Sequence, residues 1–261
     1  MRRMLTVLRF NLRELARSRW VAAYAAFFAA VGWALLSFGE SSDQAAASLL
    51  NLVVLVVPLA SLATSVLQFY NSREYVELLL VQPISRRTAF AGQYLALSIS
   101  LAGAFALGLL APFLWCGGKG EALTLLLLLV AGLLLTLIFV ALGFLVSVRT
   151  DNRLKALGGA LALWLFFAVL YDGLLLIVIM AFPTQQLPAL LLGLSVLNPL
   201  DLARLLVLLR LDIAALLGFT GALFKEFLGS ARGLAAALAV LSAWATALIL
   251  LGARAYTRRD F

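Results

Sequence analysis

Apolar residues run through this chain in blocks too long for a soluble core. A helix that crosses about 30 Å of hydrocarbon needs roughly 20 apolar residues. Six blocks meet that length: Trp20–Gly39, Ser48–Tyr70, Thr88–Trp115, Ala122–Val148, Ala156–Phe182 and Gly233–Ala253. Several exceed the minimum, so tilt or overhang into the interface is expected. The pattern therefore predicts an all-α integral membrane protein, residues 20–261 forming a domain of six transmembrane helices. Residues 1–19 follow a different pattern. Leu5, Leu8, Leu12 and Leu15 share one helical face, and Arg9, Arg13 and Arg17 line the next, as in a basic amphipathic helix lying on a membrane surface. A cleaved leader fits less well, because the apolar run after Trp20 is about twice the length of a signal core.

Between the fifth and sixth spans the pattern is mixed. Leu187–Leu197 and Leu205–Phe219 are apolar enough to suggest a seventh crossing. That crossing would strand Arg254, Arg258 and Arg259 on the far side and set Asp201, Arg204, Arg210 and Asp212 in or beside lipid. The expectation is instead that residues 183–232 form outer interfacial or re-entrant helices. Asn198-Pro199 marks one helix start, with Asn as the cap and Pro in the first helical position.

Composition sharpens this picture. The chain has 261 residues, 64% hydrophobic and only 12% charged, where a soluble domain has roughly half and about a quarter. The net charge of +8 is accordingly read as topology. No basic patch is interleaved with aromatics, and nucleic acid is not an expected partner. With six spans, fifteen of the twenty basic residues fall on one side: Arg2, Arg3, Arg9, Arg13, Arg17, Arg19, Arg73, Arg86, Arg87, Arg149, Arg153, Lys155, Arg254, Arg258 and Arg259. That asymmetry places both termini and the loop after the second span in the cytoplasm.

Several chemistries are excluded. Cys116 is the single cysteine and there is no histidine, so neither an internal disulfide nor a Cys/His metal cluster can form. Met1, Met4 and Met180 are the only thioethers, too few for a soft-metal conduit. Cys116 itself reads as a small apolar residue at a span end. Gly117-Gly118-Lys119-Gly120 lacks both the spacing and the Ser/Thr of a phosphate loop. No G-x-S-x-G elbow occurs, and nucleophile–histidine pairs are impossible. No catalytic residue and no cofactor of its own is expected, so any energy source must come from another chain.

Two polar features remain. In the loop 71–87, Asn71 can cap a helix with Glu74 reaching back, and Pro83 ends it. Leu78, Leu79 and Gln82 form a ridge beside Tyr75, Glu74 and Glu77, with Ser85-Arg86-Arg87 leading onward. Such a helix either presses into a groove on a soluble partner or lies on headgroups. Asp172, beside Tyr171 in the fifth span, costs about 2.5–3.5 kcal/mol if central. It either lines a cavity or gate, or is bonded to a neighbouring helix or to Tyr171. Asp201 and Arg204, three residues apart, are expected to form a local ion pair. Gly103, Gly108, Gly132 and Gly143 permit close helix packing.

The run Glu77-Leu78-Leu79-Leu80, followed by Gln82-Pro83 and Ser85-Arg86 between the second and third of six spans, resembles the ABC-2 class of ABC-transporter permeases. The resemblance extends over the whole topology, including the basic helix before the first span. It implies a multi-pass protein of the bacterial inner membrane. It also implies a coupling helix at 71–87, in which Glu74, Glu77, Leu78, Leu79, Gln82, Pro83 and Arg86 meet a cytosolic ABC ATPase that holds ATP and Mg. Leu170–Leu174, Asn198–Arg204 and Asp212–Phe227 narrow the resemblance to permeases of the nitrous-oxide-reductase maturation transporter. That narrower likeness implies a homodimer and a periplasmic β-helix partner, with Asp201, Arg204, Arg210, Asp212, Lys225 and Glu226 as its docking platform. The alternative reading of those six is polar faces of interfacial helices. The poverty of soft ligands favours a sulfur-containing cargo or mechanical signalling over copper conduction. An ABC-2 exporter of a lipid or drug, and a membrane scaffold without transport, are the competing functions.

Overall fold

The computed structural model describes residues 12, 18–38, 42–73, 85–116, 122–181, 193–208 and 231–258. Among these there is no strand. The helices are α1 (Arg19–Phe38), α2 (Ser42–Asn71), α3 (Arg86–Cys116), α4 (Ala122–Arg149), α5 (Arg153–Leu165), α6 (Tyr171–Ala181), α7 (Pro199–Leu208) and α8 (Ala231–Arg258). A five-residue π turn, Phe166–Leu170, joins α5 to α6. Six helical stretches are long and apolar enough to cross a membrane, the fifth being α5 with most of α6. All six expected spans are present, each within a few residues of its predicted core. Of the expected surface helix at 1–19, only Leu12, Ser18 and Arg19 are described; Leu12 packs against the core.

α4 is the centre of the bundle: 61% of its apolar stretch is buried, against 6% for Arg153–Val178. Around it lie α2, α3, α7 and α8, and α1 packs along α3. Several buried serine and threonine hydroxyls bond to their own helix. Thr136 donates to the Gly132 carbonyl and Ser147 to the Gly143 carbonyl, each at 2.8 Å, which satisfies them where no water is present.

Small residues set the closest approaches. A Cβ at Gly108 would lie 2.5 Å from the Ala25 carbonyl oxygen and 2.9 Å from the Phe28 Cβ, so α1 and α3 meet backbone to side chain there. Gly132 abuts Phe105, and Gly143 abuts Ser65. Gly103 does not belong with them: a Cβ there meets nothing within 4 Å, because it faces away from α1.

At the end of the bundle where α2, α4 and α8 finish and α3 begins, one ring from each helix meets two of the others, edge-on in three pairs and tilted in the fourth. Phe144 sits 6.1 Å from Phe69 and 5.8 Å from Phe90, and Tyr256 sits 5.4 Å from Phe90 and 6.4 Å from Phe69. Such pairs add about 0.5–1.5 kcal/mol each beyond their buried area.

Gly108→Leu is expected to overpack the α1–α3 contact and destabilise the protein by about 1–3 kcal/mol. Gly103→Leu, opening on free space, should leave the midpoint within about 0.5 kcal/mol of the parent. Thermal unfolding in detergent compares the two.

Candidate functional site

The segment 193–208 packs into the bundle along α7, while Val196 and Leu197 before it remain exposed. Asn198 Nδ2 donates to the Phe167 carbonyl at 3.0 Å, and the Trp244 indole donates to the Val196 carbonyl at 3.0 Å. Phe167 falls near the middle of the Arg153–Val178 span, and Trp244 near the middle of α8. Residues on either side of Asn198 then meet adjacent residues of α6. The Tyr171 hydroxyl donates to the Leu194 carbonyl, and Arg204 reaches Asp172. The chain thus runs to Asn198 and returns as α7, with its turn level with the middle of the Arg153–Val178 stretch.

The apex is built from the two residues that the sequence marks as a helix start. Asn198 Oδ1 accepts from the Leu200 N–H at 3.0 Å, and its backbone carbonyl accepts from Leu202. Pro199 occupies the position whose missing N–H costs nothing. The π turn opposite loosens the ordinary helical ladder, and the Phe167 carbonyl there takes the Asn198 amide. Nine of the ten residues of α7 are buried, Asp201 among them.

Arg204 bridges two carboxylates. Its guanidinium lies 3.4 Å from Asp172 Oδ2 and 3.9 Å from Asp201 Oδ1. The side chains are 26%, 43% and 12% exposed for Arg204, Asp172 and Asp201 respectively. Asp201 also stands in the first turn of α7, where the positive end of the helix favours an anion. Asp201 Oδ2 and Arg204 Nε are buried without a hydrogen-bond partner. Of the three side chains Asp172 is the most accessible. The cluster can hold the hairpin against α6 and respond to a charged or polar group arriving at Asp172.

A second set of contacts frames the loop between α2 and α3. Tyr70 donates to the Thr150 carbonyl at 2.7 Å and Arg153 to Asn71 Oδ1 at 3.3 Å. Gln93 donates to Ser72 at 2.9 Å, and Arg86 to the Thr257 carbonyl at 3.3 Å. The two ends of the loop are therefore bonded to α3, to α5 with the turn before it, and to α8, directly beside the four-ring cluster.

Of the expected site residues, Tyr171, Asp172, Asp201 and Arg204 come together. Tyr171 serves the Leu194 carbonyl, not Asp172, and the Asp201–Arg204 pair is longer than the cross-helix pair with Asp172. Asp201 and Arg204, two of the six residues expected as a docking platform, pack beside α6 through Asp172. Arg86 lies at the loop's edge. Glu74, Glu77, Leu78, Leu79, Gln82, Pro83, Arg210, Asp212, Lys225 and Glu226 lie outside the described residues. Asn198 as a cross-helix anchor, and Trp244 and Trp164 as donors to Val196 and Leu55, are additions that sequence reasoning missed. A tryptophan in an apolar span needs an acceptor for its indole N–H, and that signal was available.

Comparison with known proteins supplies the context. The family model described as ABC-2 family transporter protein matches residues 73–261. The chain is 31% identical to the probable ABC transporter permease protein NosY of Pseudomonas aeruginosa, over 97% of this chain and 98% of that protein. It is 26% identical to the protein of the same name from Stutzerimonas stutzeri, over 77% of this chain and 79% of the other.

Removing the shared cation should be costly. Arg204→Met leaves Asp201 and Asp172 without their shared cation and is expected to lose about 1–3 kcal/mol, less than for a fully buried pair because Asp172 is partly exposed. Adding Asp172→Asn and Asp201→Asn should restore most of that loss, which chemical unfolding of the single and triple variants reads directly.

Proposed function

This chain belongs to the ABC-2 family of transporter proteins, and we propose that it is the permease of an ABC transporter serving assembly of the copper–sulfur site of nitrous oxide reductase. Membership makes it a multi-pass membrane subunit whose ATPase is a separate chain. The observation that carries the finer reading is the likeness to a NosY permease along 97% of the sequence.

In this reading both termini and the loop 71–87 face the cytoplasm of a bacterial inner membrane, following the placement of fifteen arginines and lysines. Two copies assemble, each with a cytosolic ATPase that binds ATP and Mg. ATP hydrolysis moves the ATPases against Glu74, Glu77, Leu78, Leu79, Gln82 and Pro83. Because Asn71, Ser72 and Arg86 are hydrogen-bonded to three other helical regions, movement of the loop passes to the bundle as a whole. It reaches the hairpin, where the Arg204 bridge joins α7 to α6. The segment 183–232, with Arg210, Asp212, Lys225 and Glu226, delivers that motion to a periplasmic β-helix partner. With no histidine and a single cysteine, the chain suits a sulfur-containing cargo or a mechanical signal better than copper.

The tests follow these steps. In the complex purified from membranes, Glu77→Arg or Leu79→Glu should reduce permease-stimulated ATP hydrolysis roughly tenfold, as for loss of a buried interface anchor. Wild-type hydrolysis in both variants would remove the loop from the mechanism. Proteoliposomes holding only permease and ATPase should accumulate no radiolabelled copper; ATP-dependent accumulation would overturn the choice of cargo. Asp172→Asn should impair reductase maturation while the variant remains in the membrane at normal abundance.

A further inference from the structure

At the end of the bundle where α4 and α8 both finish, the described residues Val148, Arg149, Leu251, Arg254, Ala255 and Arg258 line an open cleft of about 530 Å³. Arg254 and Arg258 stand one turn apart on α8, and Arg149 is the last residue of α4. The ion pairs among the described residues involve none of the three. The negative ends of two helices account for arginines at these positions. They do not account for three arginines from two helices turned into one concavity, where each guanidinium raises the cost of the others until an anion enters.

The walls identify which anion. Val148, Leu251 and Ala255 are apolar, and Leu250 and Leu251, next along α8, are 60% and 45% exposed. A phosphate ion or a carboxylate from a soluble protein has no use for that apolar track; a phosphate attached to acyl chains does. The volume exceeds one phosphate and falls within the range of small-molecule sites. The cleft also lies at the ends of two membrane spans, the level of the headgroups. We propose that this cleft binds the phosphate headgroup of an anionic phospholipid, with its acyl chains lying along α8 beside Leu250 and Leu251. Arg149 closes the cleft from α4, so the lipid joins the two helices at the level of the loop's anchors. This site is independent of what the transporter carries.

The test uses the full chain, stripped of lipid in detergent. Phosphatidylglycerol should raise the thermal midpoint and appear as a bound adduct in native mass spectrometry, while phosphatidylcholine and inorganic phosphate should do neither. Each basic residue at such a surface is worth about a factor of five. The double variant Arg254→Gln/Arg258→Gln should therefore bind phosphatidylglycerol roughly thirtyfold more weakly, and Arg254→Lys/Arg258→Lys should keep most of the binding. Equal stabilisation by phosphatidylcholine, or full protection by inorganic phosphate, would overturn the proposal. So would a Gln double variant that keeps its lipid but loses the ATPase, since the arginines would then serve a protein.

Discussion

A polypeptide that turns back inside hydrocarbon exposes backbone groups with no water to take them, and each unsatisfied group costs several kcal/mol. That constraint governs the interior of this protein. At its deepest point the chain uses a residue with no N–H to offer, Pro199, and a side chain, Asn198, that both accepts and donates. One face of Asn198 closes the start of α7 and the other holds the Phe167 carbonyl. Trp244 takes the carbonyl of Val196. With those groups satisfied, α7 can be buried along nearly its whole length, and Asp201 and Arg204 are carried in with it.

The ionic cluster follows from the same placement. Arg204 lies where its guanidinium must find acids or remain unpaired at membrane depth. α6 supplies Asp172 and α7 itself supplies Asp201. Such a cluster contributes less to net stability than to fixing one arrangement, because desolvation cancels much of the attraction. Its accessible member, Asp172, belongs to the least buried of the six spans. The ionic cluster therefore adjoins the face of the bundle that is least covered within one chain.

The six spans were legible because length and apolarity alone define a crossing, and no tertiary information is needed. The cap at Asn198-Pro199 was legible for the same local reason. The partner of Asp172 was not. Sequence spacing points Arg204 to Asp201, three residues away, and Tyr171 to its own neighbour. Only the depth of the hairpin brings Arg204 and Leu194 to the level of α6, and no local pattern encodes depth. Gly103 illustrates the same limit: it shares its helix with Gly108, yet only one of them faces α1. The ring cluster drew residues from four separate spans, each unremarkable alone.

Those four rings have a mechanical consequence. Phe69, Phe90, Phe144 and Tyr256 meet in three edge-to-face pairs and one tilted pair, so sliding any one helix along its axis disturbs two contacts at once, whereas turning the group as a body disturbs none. Axial slip of a single helix is therefore resisted at this end of the bundle, where four helices share one set of rings.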